Sequence, residues 1–482
     1  MEQLERLPSG VQGLDALFKG GMVAGSSYIV QGRPGSGKTI LANQIAFNHV
    51  RQGGRALFAT LLAESHERLF QFLSTMSFFD PTAIGQEIQF VSAFDTLAND
   101  GLDDVVRLLR REIIRQKATL LVVDGLLNAR SKAETPIDTK KFIAELQGHA
   151  AFAGCTVLFL TSAMLQDNSP EHTMVDGVIE LGEEQYGARS IRRLQLRKTR
   201  GSGAISGLHE FEITDNGIVI YPRLEALLAH PSFPDPDELD LSRIHSGIDS
   251  LDRLIDGGLP RSSVTLVMGP SGIGKTTLGL GFMAQATPEE PALHFGFYET
   301  PARLEIKSRS LGINLKDKIA SGAVHVVWQP TTESLVDALG YRLLDAVERT
   351  GAKRIFIDSL SGMARAASNS GRLVEYFSAL MNELRARGVT VLATWEMRDL
   401  FGSEIKAPAP ELSSIVDNLF LMRFVEYRAE LKRALSVLKM RDSLYEPSLL
   451  EVVISNRGIE LARSFGDAAT VLSGSATPQA NT

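Results

Sequence analysis

The chain of 482 residues is 44% hydrophobic and 22% charged, with a net charge of −7 at pH 7. These values predict an ordinary globular protein of two to four domains, and the negative balance argues against nucleic acid or an acidic membrane as the default partner. The single cysteine, Cys155, lies in an apolar run and leaves no disulfide framework. No basic-then-apolar leader and no apolar run of about eighteen residues is present, which points to the cytoplasm.

From the N-terminus, Ser27–Val30 reads as a buried strand and Ile40–Phe47 as a helix. Between them stand Gly32, Arg33, Pro34, Gly35, Ser36, Gly37, Lys38 and Thr39, the spacing G-x-x-x-x-G-K-[ST] of a phosphate-binding loop. Glycines permit a tight turn whose N–H groups point inward at β- and γ-phosphates. Lys38 adds a point charge, the Thr39 hydroxyl suits Mg2+, and the start of the following helix favours anions. Ile40 completes the expected nucleotide-binding stretch. Strands follow at Arg55–Thr60, Ala118–Asp124 and Thr156–Thr161, the last after a helix around Lys140–Ala153. An antiparallel pair, Ser190–Lys198 with Glu210–Ile213, and then Gly217–Tyr221 close a first unit at residues 1–222. Glu183-Glu184 is expected as a solvated turn.

His230–Asp237 places three prolines in eight residues and reads as part of a stiff linker, residues 223–241. A second unit, residues 242–463, then repeats the first. Its loop supplies Gly269, Ser271, Gly272, Ile273, Gly274, Lys275, Thr276 and Thr277, and Lys275 lies 275 − 38 = 237 residues after Lys38. The preamble is repeated as well: Ser9-Gly10 and Leu14-Asp15 recur as Ser246-Gly247 and Leu251-Asp252. Two copies of a motif with its preamble at one long period indicate a duplicated domain. The expected fold class is therefore α/β: two tandem P-loop domains, each a mainly parallel sheet flanked by helices. Residues 464–482, rich in Ser, Ala, Gly and Thr, read as a disordered tail.

Asp124 and Asp358 each end an apolar strand after the loop, where an acidic side chain faces the phosphate site at the carboxyl edge of the sheet. With Thr39 and Thr276 they form the expected Mg2+ sites. Two basic pairs, Lys198 with Arg200 and Lys439 with Arg441, recur 439 − 198 = 241 residues apart. On a strand, residues two apart point the same way.

With these motifs the chain resembles the KaiC family of double-domain ATPases, within the RecA/DnaB-like class, from Leu7 to Ala462. The resemblance implies ATP as ligand, Mg2+ as cofactor and a homohexamer with ATP at subunit boundaries. It implies that Lys198, Arg200, Lys439 and Arg441 reach the neighbouring subunit's phosphates and neutralise charge there. It extends the nucleotide contacts to Ser202 and Ser443, to Thr214-Asp215 and to Ser455-Asn456. Ser413 and Ser414 fall where the family carries its phosphorylated hydroxyl pair, which implies autophosphorylation and a role in signalling, timing or stress adaptation.

The chain departs from the family at the consecutive glutamates after the loop. Tyr298 replaces the first in the second unit, leaving Glu299; Ala63 precedes the single acid Glu64 in the first. Glu64 and Glu299 are the remaining candidates to assist in-line attack on the γ-phosphate. Two other readings stay open. One is a nucleotide-gated scaffold without turnover, which the lost glutamates favour. The other is a RecA/DnaB-like DNA-dependent ATPase, whose channel loops would rest on Arg130, Lys132 and Arg365.

Overall fold

A computed structural model describes the chain except residues 1–3, 64–65, 134, 163–168, 232–239, 331, 398–411, 442, 464, 466–467, 470–474 and 479–482. It separates into two units, Met1–Leu227 and Leu228–Thr482.

The first unit contains nine main strands: β1 (Ser27–Gly32), β2 (Ala56–Thr60), β3 (Ile88–Ser92), β4 (Leu120–Asp124), β5 (Thr156–Thr161), β6 (Gly177–Tyr186), β7 (Arg189–Thr199), β8 (Leu208–Thr214) and β9 (Gly217–Tyr221). They form one sheet in the order β9-β8-β7-β6-β1-β5-β4-β2-β3. Strands β6, β1, β5, β4, β2 and β3 run parallel, and β7, β8 and β9 continue as an antiparallel meander. Glu183 and Glu184, expected in a turn, lie within β6 opposite Arg192 and Ile191 of β7.

The residues explain the layers. Strand β4 is Leu-Leu-Val-Val-Asp, and its four apolar residues are fully buried, as in a sheet covered on both faces. Period-two alternation divides them: Leu120 and Val122 pack with Leu41 and Ile45 of helix α1 (Lys38–Arg51), while Leu121 and Val123 pack with Leu109, Ile113 and Phe142 on the opposite face. Cys155 is buried in that second layer, which pushes its thiol pKa up to about 12.

The second unit repeats the plan with β10 (Val264–Gly269), β11 (Ala292–Gly296), β12 (Val324–Trp328), β13 (Arg354–Asp358), β14 (Thr390–Glu396), β15 (Asn418–Tyr427), β16 (Glu430–Met440), β17 (Leu450–Ser455) and β18 (Gly458–Ala462). Its order, β18-β17-β16-β15-β10-β14-β13-β11-β12, matches the first strand for strand. Even the irregularity recurs: the β6–β7 register shifts between Val178 and Ile179, and the β15–β16 register between Leu419 and Phe420. Within the tail, Ala468–Ala469 and Ser475–Pro478 form two short strands, the latter pairing with β15.

The repeated preamble has a local cause. Asp15 accepts the Ser9 amide at 2.8 Å, and Asp252 accepts the Ser246 amide at 3.0 Å, so each aspartate closes the turn before the first helix of its unit. Ser9 and Ser246 also accept the amides of Val11 and Ile248 at 3.1 and 3.2 Å.

Candidate functional site

In each unit the strand order places the loop after β1 or β10 at the carboxyl edge, beside the ends of β5 and β4 or of β14 and β13. Such an edge collects side chains from several strands around one crevice. The first loop glycine is needed for close approach: a Cβ on Gly32 would stand 2.4 Å from the Leu181 carbonyl, and one on Gly269 2.6 Å from that of Met422. The last loop glycines, Gly37 at φ 99° and Gly274 at φ 116°, adopt a left-handed turn that leads into α1 and into helix α3 (Lys275–Ala284).

Lys38 Nζ donates to the carbonyls of Gly32 and Arg33 at 2.8 and 3.0 Å, and Lys275 Nζ donates to those of Gly269 and Pro270, both at 2.7 Å. Both ammoniums are buried, and desolvation lowers both pKa values. Asp124 opposes this at Lys38; Glu396 and then Asp358 oppose it at Lys275. The loop threonines meet the strand-end aspartates: Thr39 Oγ1 lies 3.4 Å from Asp124 Oδ2, and Thr276 Oγ1 lies 2.8 Å from Asp358 Oδ2. Thr394 also donates to Asp358 Oδ1 at 2.7 Å. Among the described residues no group of three or more His, Cys, Asp and Glu side chains forms a metal cage. A hydroxyl beside one carboxylate instead suits a hard cation that takes its remaining oxygens from phosphate and water.

Around the second loop a cleft of about 630 Å3 is lined by Lys275, Thr276, Tyr298, Glu299, Asp358 and Glu396, with Ser271, Gly272, Gly274 and Thr277 of the loop. Glu299 pairs with Lys307 at 2.8 Å. Arg365 lies over the Tyr298 ring at 5.6 Å. The Ile273 side chain packs in the core of the second unit, and Ile40, half-buried, packs against the core of the first. Ser36 is buried and Pro34 and Gly35 are exposed. Glu64 lies outside the described residues.

The basic pairs have partners within their own unit, and the partners match. Lys198 Nζ donates to the carbonyls of His172 and Val175 at 2.7 and 2.6 Å; Lys439 Nζ donates to those of Ser413 and Val416 at 2.7 and 2.8 Å. Each lysine thus ties a short helix, α2 (Pro170–Met174) or α4 (Leu412–Ile415), to the antiparallel strand that carries it. Desolvation lowers the pKa of each, and the neighbouring arginine adds to the shift. Arg200 lies 3.7 Å from Asp176 and Arg441 3.6 Å from Asp417. Arg441 also donates to the Ser414 carbonyl at 2.9 Å. Ser413 is half-buried and Ser414 exposed.

The other expected contacts are spread more widely. Ser202 Oγ donates to the Phe18 carbonyl at 2.6 Å, and Ser443 Oγ accepts from Arg243 at 2.9 Å. Thr214 and Asp215 sit at the β8–β9 turn, where the Thr214 hydroxyl donates to the Gly217 carbonyl at 3.2 Å. Ser455 and Asn456 occupy the matching β17–β18 turn. Of the cations considered for a DNA channel, Arg130 lies 3.5 Å from Glu171 and Arg365 is stacked on Tyr298. Glu396 carries no local sequence signal, because the apolar run Val391-Leu392-Ala393 is spent before β14 ends.

A phosphate-loop strand flanked by an acid-ending strand, twice over, defines a tandem P-loop nucleoside-triphosphatase fold. The family model described as ATPase: KaiC matches residues 7–225 and again residues 244–464. Curated relatives include circadian clock oscillator proteins KaiC from Picosynechococcus sp., 24% identical over 98% of this chain and 93% of the relative, and from Synechococcus elongatus, 25% identical over 99% and 92%. That from Thermostichus vulcanus is 25% identical over 98% and 92%. The chain belongs to the KaiC ATPase family. Among the described residues no helix is long and apolar enough to cross a membrane.

Proposed function

We infer that this protein binds and hydrolyses ATP at both loops and transfers phosphate to its own Ser413 or Ser414. The observation that carries the reading is the doubled loop–acid pair, Thr39 with Asp124 and Thr276 with Asp358, beside Lys38 and Lys275. Loop N–H groups and the lysines hold the β- and γ-phosphates. Mg2+ bound by the threonine–aspartate pairs would neutralise phosphate charge. Glu299, which lines the cleft of the second unit, assists attack on the γ-phosphate, and Glu64 is its counterpart by sequence in the first. Lys198, Arg200, Lys439 and Arg441 complete the site of an adjacent subunit in a homohexamer, with Ser202, Thr214, Asp215 and Ser443 nearby. The protein acts in the cytoplasm in signalling, timing or stress adaptation; the clock role printed for its relatives supports timing.

A nucleotide-gated scaffold is the second reading, favoured in the second unit by Tyr298 and by the Lys307 ion pair that engages Glu299. Intact mass and phosphopeptide mapping after incubation with Mg-ATP, beside Lys275→Ala, separate the two. Phosphate on Ser413 or Ser414 that vanishes in the variant is the expected result. ATP-dependent assembly with neither phosphoserine nor phosphate release establishes the scaffold.

A further inference from the structure

The cleft of the second unit holds a carboxylate that the loop–acid pattern does not explain. Strand β14 ends at Glu396, whose register partner is Gly269, the first glycine of the loop. Paired strands lie about 4.8 Å apart, so the Glu396 backbone stands one strand from the start of the phosphate loop. Its half-buried side chain lines the cleft with Lys275, Thr276, Asp358 and Glu299. Its amide reaches Ser361 Oγ at 3.5 Å, in the short helix that follows Asp358. Of the charges acting on Lys275, that of Glu396 weighs most, ahead of Asp358.

The remaining groups of the cleft are engaged. Asp358 accepts from Thr276 and Thr394, Glu299 pairs with Lys307, and Tyr298 lies under Arg365. Among the described residues Glu396 forms no ion pair. The first unit is a built-in control: Gln31 pairs with Thr161, so the position beside Gly32 falls to Ser162, which has no carboxylate.

We propose that Glu396 is the general base for γ-phosphoryl transfer in the second unit, taking the task that Tyr298 cannot perform. The proposal rests on the ATP reading above. A water or serine oxygen attacks the γ-phosphorus as the bond to the β–γ bridging oxygen breaks. The bond pair leaves on ADP, and the proton of the attacking hydroxyl passes to the Glu396 carboxylate.

The test uses full-length protein carrying Lys38→Ala, which confines turnover to the second unit, with and without Glu396→Gln. Phosphate release and phosphoserine are measured beside the affinity for a fluorescent ATP analogue. Transfer falls about 100-fold in Glu396→Gln while affinity changes less than about twofold, and Glu396→Asp recovers part of the rate. Transfer within about threefold of the parent overturns the proposal and leaves the ATP reading intact. Equal loss of affinity and rate in both variants also overturns it, since it assigns Glu396 to the shape of the site. A parent that binds the analogue but transfers nothing overturns it as well. A parent that binds no nucleotide sinks the ATP reading itself.

Discussion

The two units share a topology and differ beneath their loops. In the first, Gln31 of β1 donates to Glu180 of β6 at 2.7 Å and contacts the His172 ring of α2 at 2.8 Å, while Arg197 of β7 donates to Glu180 at 3.0 Å. A polar chain thus ties the strand before the phosphate loop to the helix held by Lys198. In the second, the register puts Met268 and Leu421 where Gln31 and Glu180 stand, and Leu438 precedes Lys439 as Arg197 precedes Lys198. The contrast reverses on the far side of β5 and of β14: Phe58 faces Val122 in the first unit, but His294 faces Phe356 in the second. His294 is fully buried, and among the described residues neither ring nitrogen has a hydrogen-bond partner. One backbone plan therefore tolerates a polar or an apolar floor, and the polar version is sound only where each group meets another.

The largest effects should come from the loops. Lys275→Ala should lower phosphoryl transfer by the second unit about 100-fold or more, and Lys38→Ala should do the same for the first. Phosphate-release assays on each variant test whether the sites are separable; loss of all turnover from either single change would join them.

Acid should separate the units next. Burial depresses the His294 pKa from 6.5 to about 4, and Asp358 partly offsets the shift. The unfolded chain takes up this proton below pH 6.5 while the folded ring resists it, so stability falls as pH drops through that window, by at most about 1.4 kcal/mol per pH unit. Urea melts of His294→Leu at pH 7 and pH 5 should show that slope reduced.

Swapping the floors sharpens the contrast further. Gln31→Met strips one bond each from Glu180 and His172 and should cost about 1–3 kcal/mol; Met268→Gln buries an amide opposite Leu421 at a similar cost. Chemical denaturation measures both, and a neutral Met268→Gln would show that the second floor admits water. The smallest effect is a shared one. Lys198→Met and Lys439→Met each remove carbonyl contacts from a short helix and should destabilise their units equally, by about 1 kcal/mol. Unequal costs would mean that the two ties serve different ends.

Much of the site was legible because its signals are local. The spacing from Gly32 to Thr39 is that of one tight turn, and Asp124 and Asp358 each end an apolar run that reads directly as a buried strand. The repeat then extended each assignment to its counterpart. Glu396 escaped because Trp395 and Glu396 continue β14 past its apolar core, and nothing along the chain marks them as neighbours of Gly269. The lysine ties escaped for a related reason. The distance from Lys439 to the Ser413 carbonyl depends on two segments brought together by strand pairing, 26 residues apart in the chain.

The sequence by itself determined the duplication, the α/β class, the two loops and the acids that face them, since each is written in contiguous residues with a fixed period. Tertiary structure alone decided which further groups reach those loops. It placed Glu396 beside Gly269, turned Lys198 and Lys439 onto helix carbonyls, and left the His294 ring nitrogens without a hydrogen bond among the described residues, where the first unit has Phe58. Such contacts arise from register between distant strands, and a shift of one residue would send every side chain to the opposite face.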